Sequence, residues 1–227
     1  MLNKIKYIFF DLDGTITDPF DGISKCIAYA AERMGITVSE PEELKCFIGP
    51  PLFRQFKVFF GFDDEKAENA VKEYRKRYNE IGWKECNLID GAEELIKALK
   101  GMGYILAVAS SKPEVFAKKI LDYFDLTKYF EFIGGAQLEH TGRNEKADII
   151  AYSLKMLKIT DKSQVIMIGD RYYDIEGARI NGIKSLAVLC GYGSMEEFKQ
   201  YKADFIAKNM EEAGKIIQEI SKNPYKM

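Results

Sequence analysis

Asp11-Leu12-Asp13-Gly14-Thr15 sets two carboxylates two residues apart at the end of Tyr7-Ile8-Phe9-Phe10, an uncharged apolar run that reads as a buried strand. Desolvating a carboxylate costs several kcal/mol unless a cation or a partner compensates. The pair is therefore either a turn that lets both acids reach water or a site. Other polar groups favour the site. Ser110-Ser111-Lys112 follows the apolar run from Tyr104 to Ala109, and Gly169-Asp170 follows Val165 to Ile168, with Asp174 four residues on. Lys146 stands at a predicted helix start in Arg143-Asn144-Glu145-Lys146. Gathered together, the four acids with Lys146 and Ser110 supply four carboxylates, a lysine and a hydroxyl. Crowded carboxylates repel and titrate high unless a cation holds them. Carboxylate and carbonyl oxygens suit Mg²⁺, which keeps waters and accepts phosphate oxygens. A lysine and a serine beside it suit a phosphate group, and the Gly14 and Thr15 backbone N–H groups add an anion nest. A carboxylate nucleophile forms an aspartyl-phosphate, and a second carboxyl two residues away protonates the leaving oxygen.

The elements that must position these groups follow from periodicity and punctuation. Pro19 fits a helix start, with Ile23, Ile27, Ala30, Ala31 and Met34 at helical spacing until Gly35. Ser39-Glu40-Pro41-Glu42 predicts a short second helix, ended by the stiff kink Gly49-Pro50-Pro51. Leu52 to Phe60 and Ala67 to Ile81 predict two more, and no convincing strand occurs between Asp18 and about Leu88. Beyond Asp90-Gly91 the rhythm changes. Helices at Ala92 to Leu99, Pro113 to Tyr123, Ile149 to Leu157, after Asp170 to Arg179, from Ser194, and Met210 to Ile220 alternate with strands. The strands are Tyr104 to Ala109, Phe130 to Ile133 (ended by Gly134-Gly135), Val165 to Ile168, Ser185 to Leu189, and an edge strand at Asp204 to Ile206. Alternation with short links predicts an α/β fold, a doubly wound parallel sheet covered on both faces. Ligands of such sheets sit at the carboxyl ends of the strands, where the polar groups above fall. The expected domains are a Rossmann-like core, 1–17 and 89–227, and an all-helical insert, 18–88.

Composition excludes other chemistries. The chain has 227 residues, 47% hydrophobic and 30% charged, with net charge −2 and no basic stripe or acidic tail. No nucleic-acid polymer and no membrane is expected as a partner. The N-terminal apolar run is too short for a signal peptide and is interrupted by Asp11, which predicts a cytoplasmic protein. Cys26, Cys46, Cys86 and Cys190 lack C-x-x-C spacing, so buried free thiols are expected rather than a disulfide or zinc framework. His140 is the only histidine, and no nucleophile motif points to it.

Taken singly, each motif has a plainer alternative: an Asx-type turn for Asp11 to Thr15, a helix N-cap for Ser110 or Ser111, a solvated helix lysine for Lys146, and a capped helix start for Asp170. Gly191-Tyr192-Gly193 reads as a turn, and Phe53, Phe56, Phe59 and Trp83 as core of the insert.

In order and spacing, Asp11-x-Asp13-Gly14-Thr15, Ser110, Lys146 and Gly169-Asp170-x-x-x-Asp174 resemble the four motifs of the haloacid dehalogenase superfamily, over nearly the whole chain. The insert resembles that superfamily's four-helix cap. Phe47 to Leu52, Glu145 to Ile150 and Leu189 to Ser194 resemble the phosphoglycolate phosphatase-like branch, and within it a subgroup described as 5′-nucleotidases. The resemblance implies that Asp11 attacks phosphorus and ligates Mg²⁺. Asp13 would be general acid and base and give the metal its backbone carbonyl. Ser110 would bond the phosphoryl group, Lys146 would pair with Asp11 and the phosphate, and Asp170 would ligate the metal, with Asp174 assisting directly or through water. Asp13 favours phosphatases over dehalogenases, which lack it. Ala147 departs from the Lys-Pro common in the third motif, and Ser111 from a frequent Asn. Gly49, Pro50 and Arg54 are the cap candidates for substrate contact, alongside Gly14, Thr15 and Ser111. The implied partner is a small phosphorylated metabolite, a nucleoside 5′-monophosphate first and 2-phosphoglycolate next, handled by a monomer or weak homodimer. A sugar-phosphate mutase and a non-catalytic phosphate-binding protein are the rival readings.

Overall fold

The structure, a computed structural model, describes residues 4–138 and 142–222. His140 lies outside the described residues. The chain forms two compact units, Met1–Thr17 with Leu88–Met227, and Asp18–Asn87.

Along the chain the elements are β1 (Tyr7–Phe10), β2 (Thr17–Asp18), α1 (Phe20–Arg33), α2 (Leu52–Phe60), α3 (Asp64–Glu80) and β3 (Asn87–Leu88). Then come α4 (Ala92–Gly101), β4 (Ile105–Pro113), α5 (Glu114–Tyr123), β5 (Phe130–Ala136), α6 (Lys146–Met156) and β6 (Val165–Gly169). The last are α7 (Tyr172–Asn181), β7 (Lys184–Val188), α8 (Met195–Gln200), β8 (Phe205–Ala207) and α9 (Met210–Lys222).

In the first unit six strands lie in the order β5-β4-β1-β6-β7-β8, every neighbouring pair parallel. The chain winds outward from β1 to one edge, then returns past it to the other. That order puts the topological switch, and the crevice that goes with it, at the carboxyl end of β1. Ile8, Phe9 and Phe10 are all buried because helices cover both faces. On one face Phe9, Ala107, Ala109 and Met167 pack under Ile149, Ile150 and Leu154 of α6 and Ala178 of α7. Alternation along the strands turns Ile8, Leu106, Val108 and Ile168 to the other face.

Two strands outrun their apolar runs. β4 continues through Ser110-Ser111-Lys112 to Pro113, and β5 continues through Gly134-Gly135 to Ala136. Tertiary pairing overrides the weak strand preference of glycine. The register between them is irregular at this point, stepping from Ser110↔Gly135 to Pro113↔Ala136. Neither Ser110 nor Ser111 caps α5, whose N-cap is Pro113 with no side-chain cap bond.

The second unit is helical. α1 buries Ile23, Cys26, Ile27, Ala30 and Ala31 on one face. The predicted short second helix is a 3-10 run, Pro41–Phe47. Gly49 (φ 103°) turns the chain into α2, and Gly61 in the left-handed region (φ 69°) ends that helix. Phe56 is fully buried, with Phe47 edge-on to it at 5.3 Å and Phe62 stacked on it at 6.2 Å. Asp63 caps α3 by accepting from the Lys66 N–H at 2.8 Å. Near the unit's end, Arg77 Nη1 and Nη2 engage Glu85 Oε2 and Oε1 at 2.6 and 3.1 Å.

The thiols are free as expected, but not uniformly buried. Cys46 is exposed on the 3-10 run and Cys190 is half-buried, with burial pushing its thiol up to about 11. Among the described residues no helix is long and apolar enough to cross a membrane.

Candidate active site

β1 delivers Asp11 and Asp13 to the crevice, β4 delivers Ser110, the first turn of α6 delivers Lys146, and the β6–α7 junction delivers Asp170 and Asp174. All lie in the first unit. Lys146 is the pivot. Its Nζ lies 2.7 Å from Asp11 Oδ1 and 2.9 Å from Asp174 Oδ1, and it donates to the Ala109 carbonyl at 3.1 Å. A helix lysine that bridges two buried carboxylates is not a solvated one. The Leu12 N–H also donates to Asp11 Oδ1, at 2.8 Å. Asp174 Oδ2 accepts from the Arg171 N–H at 3.1 Å, which closes the first turn of α7.

Asp170 is held from two sides: Oδ1 accepts from Thr15 Oγ1 at 3.2 Å and Oδ2 from the Tyr192 N–H at 2.8 Å. Close packing of backbone leaves no room for extra atoms here. At Gly14 (φ 82°) a Cβ would fall 2.2 Å from Asp170 Oδ2, and at Gly191 it would fall 2.3 Å from the Gly14 carbonyl oxygen. The turn at Gly191-Tyr192-Gly193 is thus part of the site, holding Asp170. The sequence alone gave it little weight, and its only signal was a Gly-x-Gly just past the end of a strand.

The expected anion nest is corrected. The Gly14 N–H donates to the Thr17 carbonyl at 2.7 Å and the Thr15 N–H to the Leu12 carbonyl at 3.2 Å. The tight turn after β1 takes both donors, and Gly14 and Thr15 serve Asp170 instead. Ser110 is buried, and its Oγ accepts from the Lys112 N–H at 3.2 Å. Ser111 is half-buried beside it. Gly49, Pro50 and Arg54 belong to the second unit, where Gly49 and Arg54 are exposed and Pro50 is half-buried. Lys112, which carried no role in the sequence, has its Nζ 2.5 Å from Asp13 Oδ2.

Burial dominates the titration of the site. It pushes Asp13 up against the opposing pull of the Lys112 ammonium. It raises Asp170 well above the ordinary carboxylate value, reinforced by Asp174 and Asp11. Asp174 is pushed up to about 6 by burial, although Lys146 pulls it down. Burial alone would lower Lys146, but Asp11 and Asp174 outweigh it and its pKa is raised.

These shifts report charge that the protein does not balance by itself. Asp11, Asp170 and Asp174 each offer an oxygen, and those oxygens lie within 4.8 Å of one another. Four carboxylates face two ammonium groups, Lys112 and Lys146, which leaves two formal negative charges in a buried site. One divalent cation balances that count, and an all-oxygen donor set suits a hard one. The residues fit such an ion.

Comparison with known proteins agrees with this geometry. The haloacid dehalogenase-like hydrolase family matches residues 8–188. A 5′-nucleotidase of Pseudomonas aeruginosa is 40% identical over 195 residues, 86% of this chain and 87% of that one. The tyrosine-protein kinase PtkA of Mycobacterium tuberculosis is 36% identical over 201 residues, 88% of this chain and 65% of that one. Among solved structures, a predicted phosphatase from Clostridium acetobutylicum matches with a TM-score of 0.90 at 40% identity, over 96% of this chain and all of that one. The chain belongs to the haloacid dehalogenase-like hydrolase family.

Proposed function

We infer that the chain hydrolyses small phosphomonoesters through an aspartyl-phosphate on Asp11, with Mg²⁺ as the metal and nucleoside 5′-monophosphates as the favoured substrates. The chain is a phosphatase of the haloacid dehalogenase type. The observation that carries the mechanism is the Lys146 ammonium bridging Asp11 and Asp174 beside the Asp170 carboxylate. It ties the side chain of Asp11 in place and supplies positive charge where a phosphoryl group would lie.

Asp11, Asp170 and Asp174, with the Asp13 backbone carbonyl, would hold the cation. When bound, it neutralises charge on the phosphoryl oxygens and orients them for in-line attack. The Leu12 N–H and the Lys146 ammonium both engage Asp11 Oδ1, which leaves Oδ2 to attack phosphorus. Ser110 Oγ accepts from a backbone N–H, so its own hydrogen is available to a phosphoryl oxygen. Asp13 protonates the leaving alkoxide, then withdraws a proton from the water that releases phosphate from Asp11. Its raised pKa suits the first of these steps.

Similarity to the 5′-nucleotidase of P. aeruginosa supports the nucleotide assignment. Substrate choice is assigned to the helical insert, with Gly49, Pro50 and Arg54 as the residues to vary, and 2-phosphoglycolate is the next candidate. A cytoplasmic location is proposed from the sequence. The test is phosphate release by purified protein with Mg²⁺ from nucleoside monophosphates, 2-phosphoglycolate, hexose phosphates and p-nitrophenyl phosphate, compared by kcat/KM. Nucleoside monophosphates should lead, and Asp11→Asn should abolish turnover. Interconversion of hexose phosphates without phosphate release would select a mutase. Labelling of protein tyrosine from ATP, with no monoester hydrolysed, would select the activity named for PtkA.

A further inference from the structure

Lys112 is one of the few buried cations of the first unit, with its side chain 5% exposed, and it points at an acid rather than at solvent. Its Nζ lies 2.5 Å from Asp13 Oδ2, and the Asp13 side chain is 15% exposed. The strand is shaped to put it there. Pairing of β4 with β5 steps from Ser110↔Gly135 to Pro113↔Ala136, skipping Ser111 and Lys112. Bulges of this kind bend a strand and re-aim side chains. The bend is tightly backed: a Cβ on Gly135 would fall 2.5 Å from Glu114 Cα and 2.7 Å from the Lys112 carbonyl oxygen. Arg143 fastens the same spot, donating from Nε to the Gly135 carbonyl at 2.9 Å and from Nη2 to Glu114 Oε2 at 3.1 Å. Only one oxygen of Asp13 is engaged by the ammonium. The other, Oδ1, is buried and has no hydrogen-bond partner among the described residues.

We propose that Lys112 is the positioning residue for Asp13: by holding Oδ2 it fixes the carboxyl rotamer and makes Oδ1 the oxygen that carries the proton. The terminal torsion of aspartate is broad and two-fold, so an untethered carboxyl samples many orientations. A misplacement of about 1 Å in a reacting group costs on the order of 100-fold in rate. The inference rests on the phosphatase reading above and adds a residue and an atom to it. In the first step Asp11 Oδ2 bonds to phosphorus, and the bond from phosphorus to the ester oxygen breaks. The electron pair goes to that oxygen, which takes the proton from Asp13 Oδ1. In the second step Oδ1 removes a proton from water as the water oxygen bonds to phosphorus, and Asp11 leaves as a carboxylate.

Leaving-group dependence separates this role from a merely structural one. p-Nitrophenolate departs without a proton, whereas the alkoxide of an alkyl ester needs one. In Lys112→Met, kcat/KM for the best alkyl monoester of the substrate panel should fall about 100-fold, within the usual range for loss of a general acid. The p-nitrophenol burst should keep its rate within about 5-fold, because that step bypasses the acid. The burst should be stoichiometric with enzyme, since base-assisted release from Asp11 has slowed. Lys112→Arg, which keeps the charge, should retain more alkyl-ester activity than Lys112→Met, and it carries the same comparison should the Met variant not fold. An equal loss on both esters, with no burst, overturns the positioning role while leaving the phosphatase reading intact. A wild-type protein inactive on both esters, or indifferent to Asp11→Asn, overturns the reading and the inference with it.

Discussion

Replacing Lys146 by methionine removes the ammonium that lies 2.7 Å from Asp11 Oδ1 and 2.9 Å from Asp174 Oδ1. The three side chains are only 4%, 12% and 3% exposed, so water cannot take its place. Breaking a buried ion pair from one side costs about 3–5 kcal/mol, because the orphaned charge stays buried. At roughly 2–4 °C per kcal/mol for a chain of this size, the melting temperature should drop by about 6–20 °C. The measurement is thermal and urea unfolding of chelator-treated protein at neutral pH, following the transition of the first unit. Two features identify electrostatics as the cause. Adding Asp174→Asn to the variant should recover about 1–3 kcal/mol, since it deletes one of the stranded carboxylates. The deficit should also shrink with acid. Asp174 titrates at about 6 in the fold against an ordinary value of 3.8, so between those values the native state binds more protons than the unfolded one. Stability then rises as pH falls through that window and is lost as pH rises through it. Removing Lys146, which pulls Asp174 down, strengthens that dependence in the variant. A variant within about 1 kcal/mol of wild type, or a deficit that does not change between neutral pH and pH near 5, would refute the reasoning.

Other expectations test other parts of the chain. Gly191→Ala puts a Cβ 2.3 Å from the Gly14 carbonyl and 2.4 Å from Asp170 Oδ2. Overpacking there should cost about 1–3 kcal/mol and weaken divalent-cation affinity about 10–100-fold, read by calorimetric titration. Glu85→Gln in the second unit loosens the two-point contact with Arg77, which holds the Glu85 carboxyl below its usual value of 4.5. It should cost about 1 kcal/mol at neutral pH. That difference should be lost as pH falls below the usual value, where wild-type Glu85 also protonates, and urea unfolding at two pH values measures it. Phe56→Ala opens a void in the packed phenylalanines of the second unit and should cost about 3–5 kcal/mol there, seen in urea as an earlier transition of that unit.

The order of elements and the identity of the clustered carboxylates were legible in one dimension. Apolar runs bounded by glycine and proline mark buried strands, and acids placed at their ends mark a site, because desolvated charge is too costly to leave there without purpose. Asp11, Asp13 and Asp170 could be picked out on that ground alone, and Asp174 by its place four residues after Asp170. What was not legible depends on distances between segments remote in sequence. Nothing local says that β4 runs on through Ser110-Ser111-Lys112, since that follows from its pairing with glycines in β5. Nothing local gives the Gly14 and Thr15 N–H groups to a turn and the Thr15 hydroxyl to Asp170. The Gly191-Tyr192-Gly193 turn reads as punctuation until Asp170, some twenty residues away, is seen to accept from the Tyr192 N–H. Lys112 is the clearest case: one lysine among many in the sequence, it becomes the partner of Asp13 across 99 residues only when a bulge turns it inward. Periodicity reports which residues are buried, and so the sequence by itself determined the fold class and the acids. Electrostatic pairing depends on three-dimensional separation, and so only the tertiary structure decided which cation meets which acid.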